Sequence, residues 1–190
     1  MNFFYKLIFV FLFFTAFTFT FGQSQINGGA SFNLNIPIGS FSDYAKTGIG
    51  GSIIFEYVFN EKISATVLGS YNSFNSEIPL VAVGGATYKI SITSIPVLAG
   101  IRYYFNPNAF GIVIVGSTFL RANADVSNIY SKEKLSTDYN SKISAGIGGG
   151  FRTNLSEQSV FEISGVYQYI QDDFSTISLS ATVVILLGNL

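Results

Sequence analysis

The chain has no cysteine, no histidine and no tryptophan, and charged residues make up only 11% of its 190 positions. Without cysteine there is no disulfide framework, no thiolate metal site and no N-terminal lipid-anchored cysteine. Without histidine the commonest zinc ligand and the commonest general base are both missing. An ordinary soluble surface carries roughly a quarter of its residues as charges, so water is a poor candidate for the solvent around most of this chain. Ten basic and eleven acidic residues give a net charge of −1. No window forms a basic patch, which argues against nucleic-acid binding.

Residues 1–22 combine one positive charge at Lys6, an uncharged apolar stretch from Leu7 to Phe21, and small residues Thr20 and Gly22 at the −3 and −1 positions of a cut before Gln23. This pattern predicts a cleaved secretory signal peptide. The alternative, a retained helix, falls short of the roughly 20 apolar residues a span needs. Residues 23–190 are then one exported domain.

What fills that domain is period-two alternation. In 26–36, Ile26, Ala30, Phe32, Leu34 and Ile36 share one parity while Asn27, Ser31, Asn33 and Asn35 share the other. The pattern returns in 49–59, 63–72, 142–152, 160–170 and 176–187, and such segments read as two-faced strands. Two further strands are expected at 95–105 and 109–120. Ile90 and Ile92 are out of phase with Ile95 and Val97, which predicts a bulge near Ser94 or an off-membrane start at Pro96. In 109–120 both faces are apolar, and the alternation leaves the phase open.

Short turns follow strands two, four and six, at Asn60-Glu61-Lys62, Asn106-Pro107-Asn108 and 153–158; the segments 37–47, 74–88, 121–139 and the brief 171–174 follow the others. This wiring predicts an all-β, eight-stranded antiparallel up-and-down transmembrane β-barrel, closed so that lipid meets no open edge. A soluble barrel alternates as well, and the aromatic residues distinguish the two. Tyr57, Phe59, Tyr103, Phe105 and Phe151 lie on the apolar parity just before the short turns and Phe110 and Phe161 just after two of them, as one interfacial girdle; Tyr71, Tyr167 and Tyr169 supply the opposite one. The polar face is mainly Asn, Ser, Thr and Gly, as an enclosed lumen requires.

The run IPVLAGIRYYF followed by NPN, residues 95–108, resembles the central strand and turn of the outer-membrane protein beta-barrel domain common in Bacteroidota-like bacteria. The whole of 23–190 is similar in pattern to the small outer-membrane barrels of the OmpA/OmpX type. The resemblance implies residence in the bacterial outer membrane, contact with its lipid and insertion by the outer-membrane assembly machinery, as a monomer. Such chains often finish on an aromatic residue read by that machinery, and Leu190 stands in its place here.

Arg102 interrupts this apolar run, and placing it toward lipid at mid-depth costs roughly 2 to 4 kcal/mol. Glu56, Arg102, Arg152 and Glu162 share the inward parity and the same third of the barrel. They are expected to form a buried network, with Lys142 higher in the lumen. No catalytic, metal or cofactor site is expected: a Ser/His/acid arrangement is impossible, Asp172 and Asp173 read as a solvated turn, and GIGGGF at 146–151 lacks a dinucleotide fingerprint. Eight strands leave an interior just filled by side chains. The expected role is therefore structural or surface display, with loop 121–139 the place for adhesion or a partner of unknown identity. A narrow porin-like channel and a secreted lipocalin-like carrier are the alternatives.

Overall fold

The computed structural model describes residues 25–78, 87–127 and 132–189, with side chains described outside 76–89, 124–134 and 189. Nine strands occur in the order β1 (Gln25–Ile38), β2 (Gly48–Asn60), β3 (Ile63–Ile78), β4 (Thr87–Asn106), β5 (Ala109–Ser127), β6 (Lys132–Ser136), β7 (Asn140–Ser156), β8 (Ser159–Ile170) and β9 (Phe174–Asn189). Every pairing is antiparallel, and β1 pairs with β9 to close the ring. Nine segments occupy eight places, because β6 and β7 lie on the same side of β5. The Thr137 N–H donates to Ala122 O at 2.9 Å and carries the ladder across the break between them.

Register sets the geometry. Stepping around the ring from Asn27 through Glu56, Thr66, Gly100, Ile114, Gly146, Gln168 and Thr176 returns to β1 at Pro37. That displacement of ten residues (37 − 27), shared over eight strands, tilts them by about 40°. The parity is uniform: large apolar side chains such as Ile53, Val113, Ile143 and Phe151 face outward, and Asn33, Thr66, Ser144 and Gln168 face inward and are buried.

The three short hairpins share one device. Each loses register at the residue before its turn, at Phe59, Phe105 and Leu155. Each then turns on a side-chain acceptor: Asn60 Oδ1 takes the Lys62 N–H at 2.9 Å, Asn106 Oδ1 takes that of Asn108 at 2.9 Å, and Ser156 Oγ takes that of Gln158 at 3.2 Å. Asx- and Ser-type turns of this kind replace a backbone bond locally. Each turn's last carbonyl then accepts from a neighbouring strand: Lys62 from Tyr104, Asn108 from Arg152, Gln158 from Leu186. The third turn is tighter than the sequence suggested, since β7 continues to Ser156.

Two expectations are corrected. No bulge occurs near Ser94, because β4 keeps one register with β3 on both sides of the gap, Gly69 opposite Val97 and Asn72 opposite Ser94. Pro96 lacks an N–H and interrupts the ladder without shifting it. What changes there is chemistry: the inward face above Ser94 turns apolar, and Ile92 packs on Phe41, Ala45 and Phe74. Segment 121–139, expected as a loop, is strand over 121–127 and over Lys132–Ser136, while in 74–88 β3 reaches Ile78 and β4 starts at Thr87; 79–86 and 128–131 lie outside the described residues. For 109–120 the open phase is settled: Phe110, Ile112 and Ile114 are buried inside, so Phe110 is not part of the outer girdle, while Val113 and Val115 face out.

The glycines of 146–151 make room for that inward row. A Cβ on Gly146 would lie 3.0 Å from Ile114 Cγ1, and one on Gly150 would lie 2.8 Å from Phe110 Cζ. The large side chains of β5 thus lie across the bare inner face of β7.

Candidate functional site

The interior is built in three levels. At the short-turn end, side chains of β1, β2, β3, β4, β7 and β8 form one polar and charged layer. Register places Asn27 of β1 opposite Glu56 of β2, Ser64 of β3 opposite Arg102 of β4, and Arg152 of β7 opposite Glu162 of β8. Arg102 Nη1 donates to Glu162 Oε2 at 3.0 Å and Oε1 at 3.2 Å, and lies 3.9 Å from Glu56 Oε1. Its guanidinium also stands over the Phe110 ring, 4.5 Å from the centroid. Glu56 accepts further hydrogen bonds from Asn27 Nδ2 at 2.9 Å, Ser64 Oγ and Tyr104 Oη. Residue exposures of 4% for Arg102, 3% for Glu56 and 1% for Glu162 put the triad out of solvent. Charges that deeply buried persist only when paired and hydrogen-bonded.

Arg152 is arranged differently from the expected network. It is opposite Glu162 in register, yet its guanidinium sits over the Tyr104 ring at 5.0 Å, and no ion pair joins it to either carboxylate among the described residues. Lys142 does lie nearer the long-loop end, where it pairs with Asp172 at the rim. Asp172 and Asp173 both have positive φ, 67° and 63°, which Asp tolerates in a tight turn. The β7–β8 register, Ser144 opposite Ile170, carries on to set Lys142 opposite Asp172, a pairing that needs the register as well as parity.

Above the charged layer is a level of neutral polar groups. Asn33 Nδ2 donates to Ser52 Oγ, Ser70 Oγ donates to the same oxygen at 3.0 Å, and Asn35 Nδ2 reaches Asn72 Oδ1 at 3.0 Å. Opposite, Gln168 Nε2 donates to Thr118 Oγ1 at 3.1 Å. A cavity of about 80 Å³ opens between these groups and Leu98, Ile112 and Ile114.

The third level is an apolar roof that sequence reasoning missed. A 3-10 turn, Gly39–Asp43, carries Phe41 over the mouth, where its ring meets Phe74 and Phe174 edge-on at 5.1 and 5.3 Å. Gly39 adopts φ +61° to start the turn, and Ser42 Oγ donates to Gly39 O at 2.7 Å. The hint in the sequence was Phe41, a large apolar residue set between Ser40 and Ser42 in a connection.

On the outer wall, Tyr103 (45% exposed), Phe105 and Phe151 face out near the short turns. Tyr57 and Phe59 lie beside them, half-buried against each other, ring centroids 5.1 Å apart; Tyr103 and Phe105 form a similar edge-on pair at 5.4 Å. Tyr71, Tyr167 and Tyr169 face out toward the other end. Among the described residues no group of three or more His, Cys, Asp or Glu side chains is placed to hold a metal ion.

No protein family matches the sequence, and no curated protein matches it. Solved structures do share its fold. The attachment invasion locus protein Ail of Yersinia pestis, crystallised with the heparin analogue sucrose octasulfate, aligns with a TM-score of 0.50 at 20% identity over 88% of this chain and 99% of that one. A major outer membrane protein of Thermus thermophilus aligns with a TM-score of 0.54 at 7% identity over 85% and 99%. At these identities the likeness is one of fold, and the fold is that of the outer-membrane β-barrels.

Proposed function

We propose that the protein is a small integral outer-membrane barrel, exported by residues 1–22, inserted as a monomer by the outer-membrane assembly machinery, and serving to display its long-loop end at the cell surface for adhesion or partner contact. The observation that carries this reading is the unequal height of the wall. β4 and β5 are 20 and 19 residues long and stay in one register from Tyr104–Phe110 to Thr87–Ser127. At about 3.3 Å per residue and a tilt of about 40°, they rise roughly 50 Å, twice the roughly 25 Å apolar band of such barrels. The upper half of this hairpin, flanked by β3 and β6, stands clear of the band.

The two aromatic girdles set the depth of the barrel, with amphipathic rings held at the headgroup level. The Arg102, Glu56 and Glu162 layer fastens strands β2, β4 and β8 across the lumen. The same layer below and the Phe41 roof above support a non-conducting interior over the narrow-channel alternative, and an apolar exterior around a polar interior disfavours the soluble carrier.

Refolding residues 23–190 in detergent tests the membrane reading: the folded species should migrate differently before and after boiling, whereas a monodisperse chain without detergent would overturn it. For display, protease added to intact expressing cells should cut within 121–139 and leave a protected core. Cleavage only after the outer membrane is opened would refute the orientation.

A further inference from the structure

The interior cavity is lined by groups of defined chemistry. One wall is neutral and polar, with Asn33, Ser70 and Ser180; the facing wall is aliphatic, with Leu98, Ile112 and Ile114. Its floor is Arg102 and Phe110. Toward the long-loop end the strands that line it lead on to the roof: two residues above Asn72 on β3 is Phe74, four residues before Ser178 on β9 is Phe174, and Phe41 packs between them. Among the described residues, Arg102 is the only ionisable side chain lining the space, and Glu162 and Glu56 already meet its charge. A charged solute would therefore be buried without a counterion, at a cost of several kcal/mol.

An uncharged solute meets the opposite situation. Each Asn amide has two donors and each hydroxyl two lone pairs, so the ladder bonds of the polar wall leave sites to spare. Arg102 Nε, buried, has no acceptor among the described residues. About 80 Å³ is on the order of six water-sized positions, the bulk of a three-carbon polyol.

We propose that this cavity is a binding site for small uncharged solutes bearing hydroxyl groups, admitted from the long-loop end when the Phe41 turn lifts. The apolar wall takes the carbon skeleton and the Ser/Asn wall takes the hydroxyls. The inference stands apart from the display role, since it rests on the interior alone.

The absence of native cysteine provides the test. Ser180→Cys, and separately Ser164→Cys on the neighbouring strand, place one thiol at the cavity wall of the otherwise intact barrel, with heat-dependent gel mobility confirming folding. The neutral reagent 2-hydroxyethyl methanethiosulfonate should label these thiols faster than the similarly sized cationic 2-aminoethyl reagent, on the order of tenfold or more given the cost of burying an unpaired charge. Phe41→Ala should raise the neutral rate, and glycerol should slow it. Equal rates for the two reagents would mean an open aqueous pore and overturn the proposal. So would a failure of the neutral reagent to label either thiol even with Phe41→Ala, a rate indifferent to Phe41, or no protection by glycerol.

Discussion

Replacing Arg102 with Met removes the one cation that, among the described residues, pairs with the buried carboxylates of the lumen layer. Its pairing with Glu162, at 3.0 and 3.2 Å, and its pairing with Glu56, at 3.9 Å, are worth about 4 kcal/mol per carboxylate at an effective dielectric near 20, but taking the charges out of water offsets much of this. The net cost of orphaning a buried charge is about 3–5 kcal/mol. The two carboxylates will not suffer equally. Glu56 keeps its donors from Asn27, Ser64 and Tyr104, while Glu162 has Arg102 as its only side-chain partner among the described residues. Arg102→Met should therefore destabilise by about 3–5 kcal/mol, and Glu56→Gln by only about 1–2 kcal/mol, the loss of one distant charge with most hydrogen bonds retained. Adding Glu162→Met to Arg102→Met should recover most of the loss, because no unpaired charge remains on that side. The measurement is urea unfolding in lipid vesicles, followed by circular dichroism and by gel mobility, since the chain carries no tryptophan to follow by emission. If the double variant is as unstable as the sum of the singles, direct pairing is wrong.

On the outer wall, Val113→Arg at mid-depth should cost about 2–4 kcal/mol, whereas Leu155→Arg beside the short turn should cost about 0–1 kcal/mol; equal costs in the same urea assay would contradict the placement of the apolar band. Gly150→Ala would put a Cβ 2.6 Å from Ile163 O and 2.8 Å from Phe110 Cζ, an overpacking expected to cost about 1–3 kcal/mol. Gly165→Ala, whose nearest neighbour would be Leu179 Cδ2 at 3.5 Å, should be neutral or stabilising by up to about 1 kcal/mol. Lys142→Ala should cost under about 1 kcal/mol in a salt titration of stability, because its partner Asp172 is half-exposed and screened.

Strand identity and sidedness were legible because both are local. Side chains alternate every second residue whatever the neighbours are, so Ile53 and Val67 outward and Asn33 and Thr66 inward follow from parity. The short turns were legible for the same reason, since Asn60 and Asn106 bond their own chain two residues on. Parity failed where both faces carried one chemistry. Ile112 and Val113 are interchangeable by hydropathy, and only register, which sets Ile112 opposite the inward Arg102 and Ile114 opposite Gly146, makes the even face the inner one. It also misled at Ser94, where Ile90 and Ile92 suggested a shifted backbone although only the chemistry of the lumen had changed.

The sequence by itself determined a cysteine-free chain of two-faced strands joined by alternating short and long connections, because composition and period are properties of the chain alone. The tertiary structure decided everything that depends on closure: the ten-residue stagger, the guanidinium of Arg102 reaching Glu162 rather than Arg152 doing so, Lys142 meeting Asp172, and Phe41 roofing the lumen. These side-chain contacts join residues at least 30 positions apart, and their partners are chosen by register around the ring, which no single strand encodes.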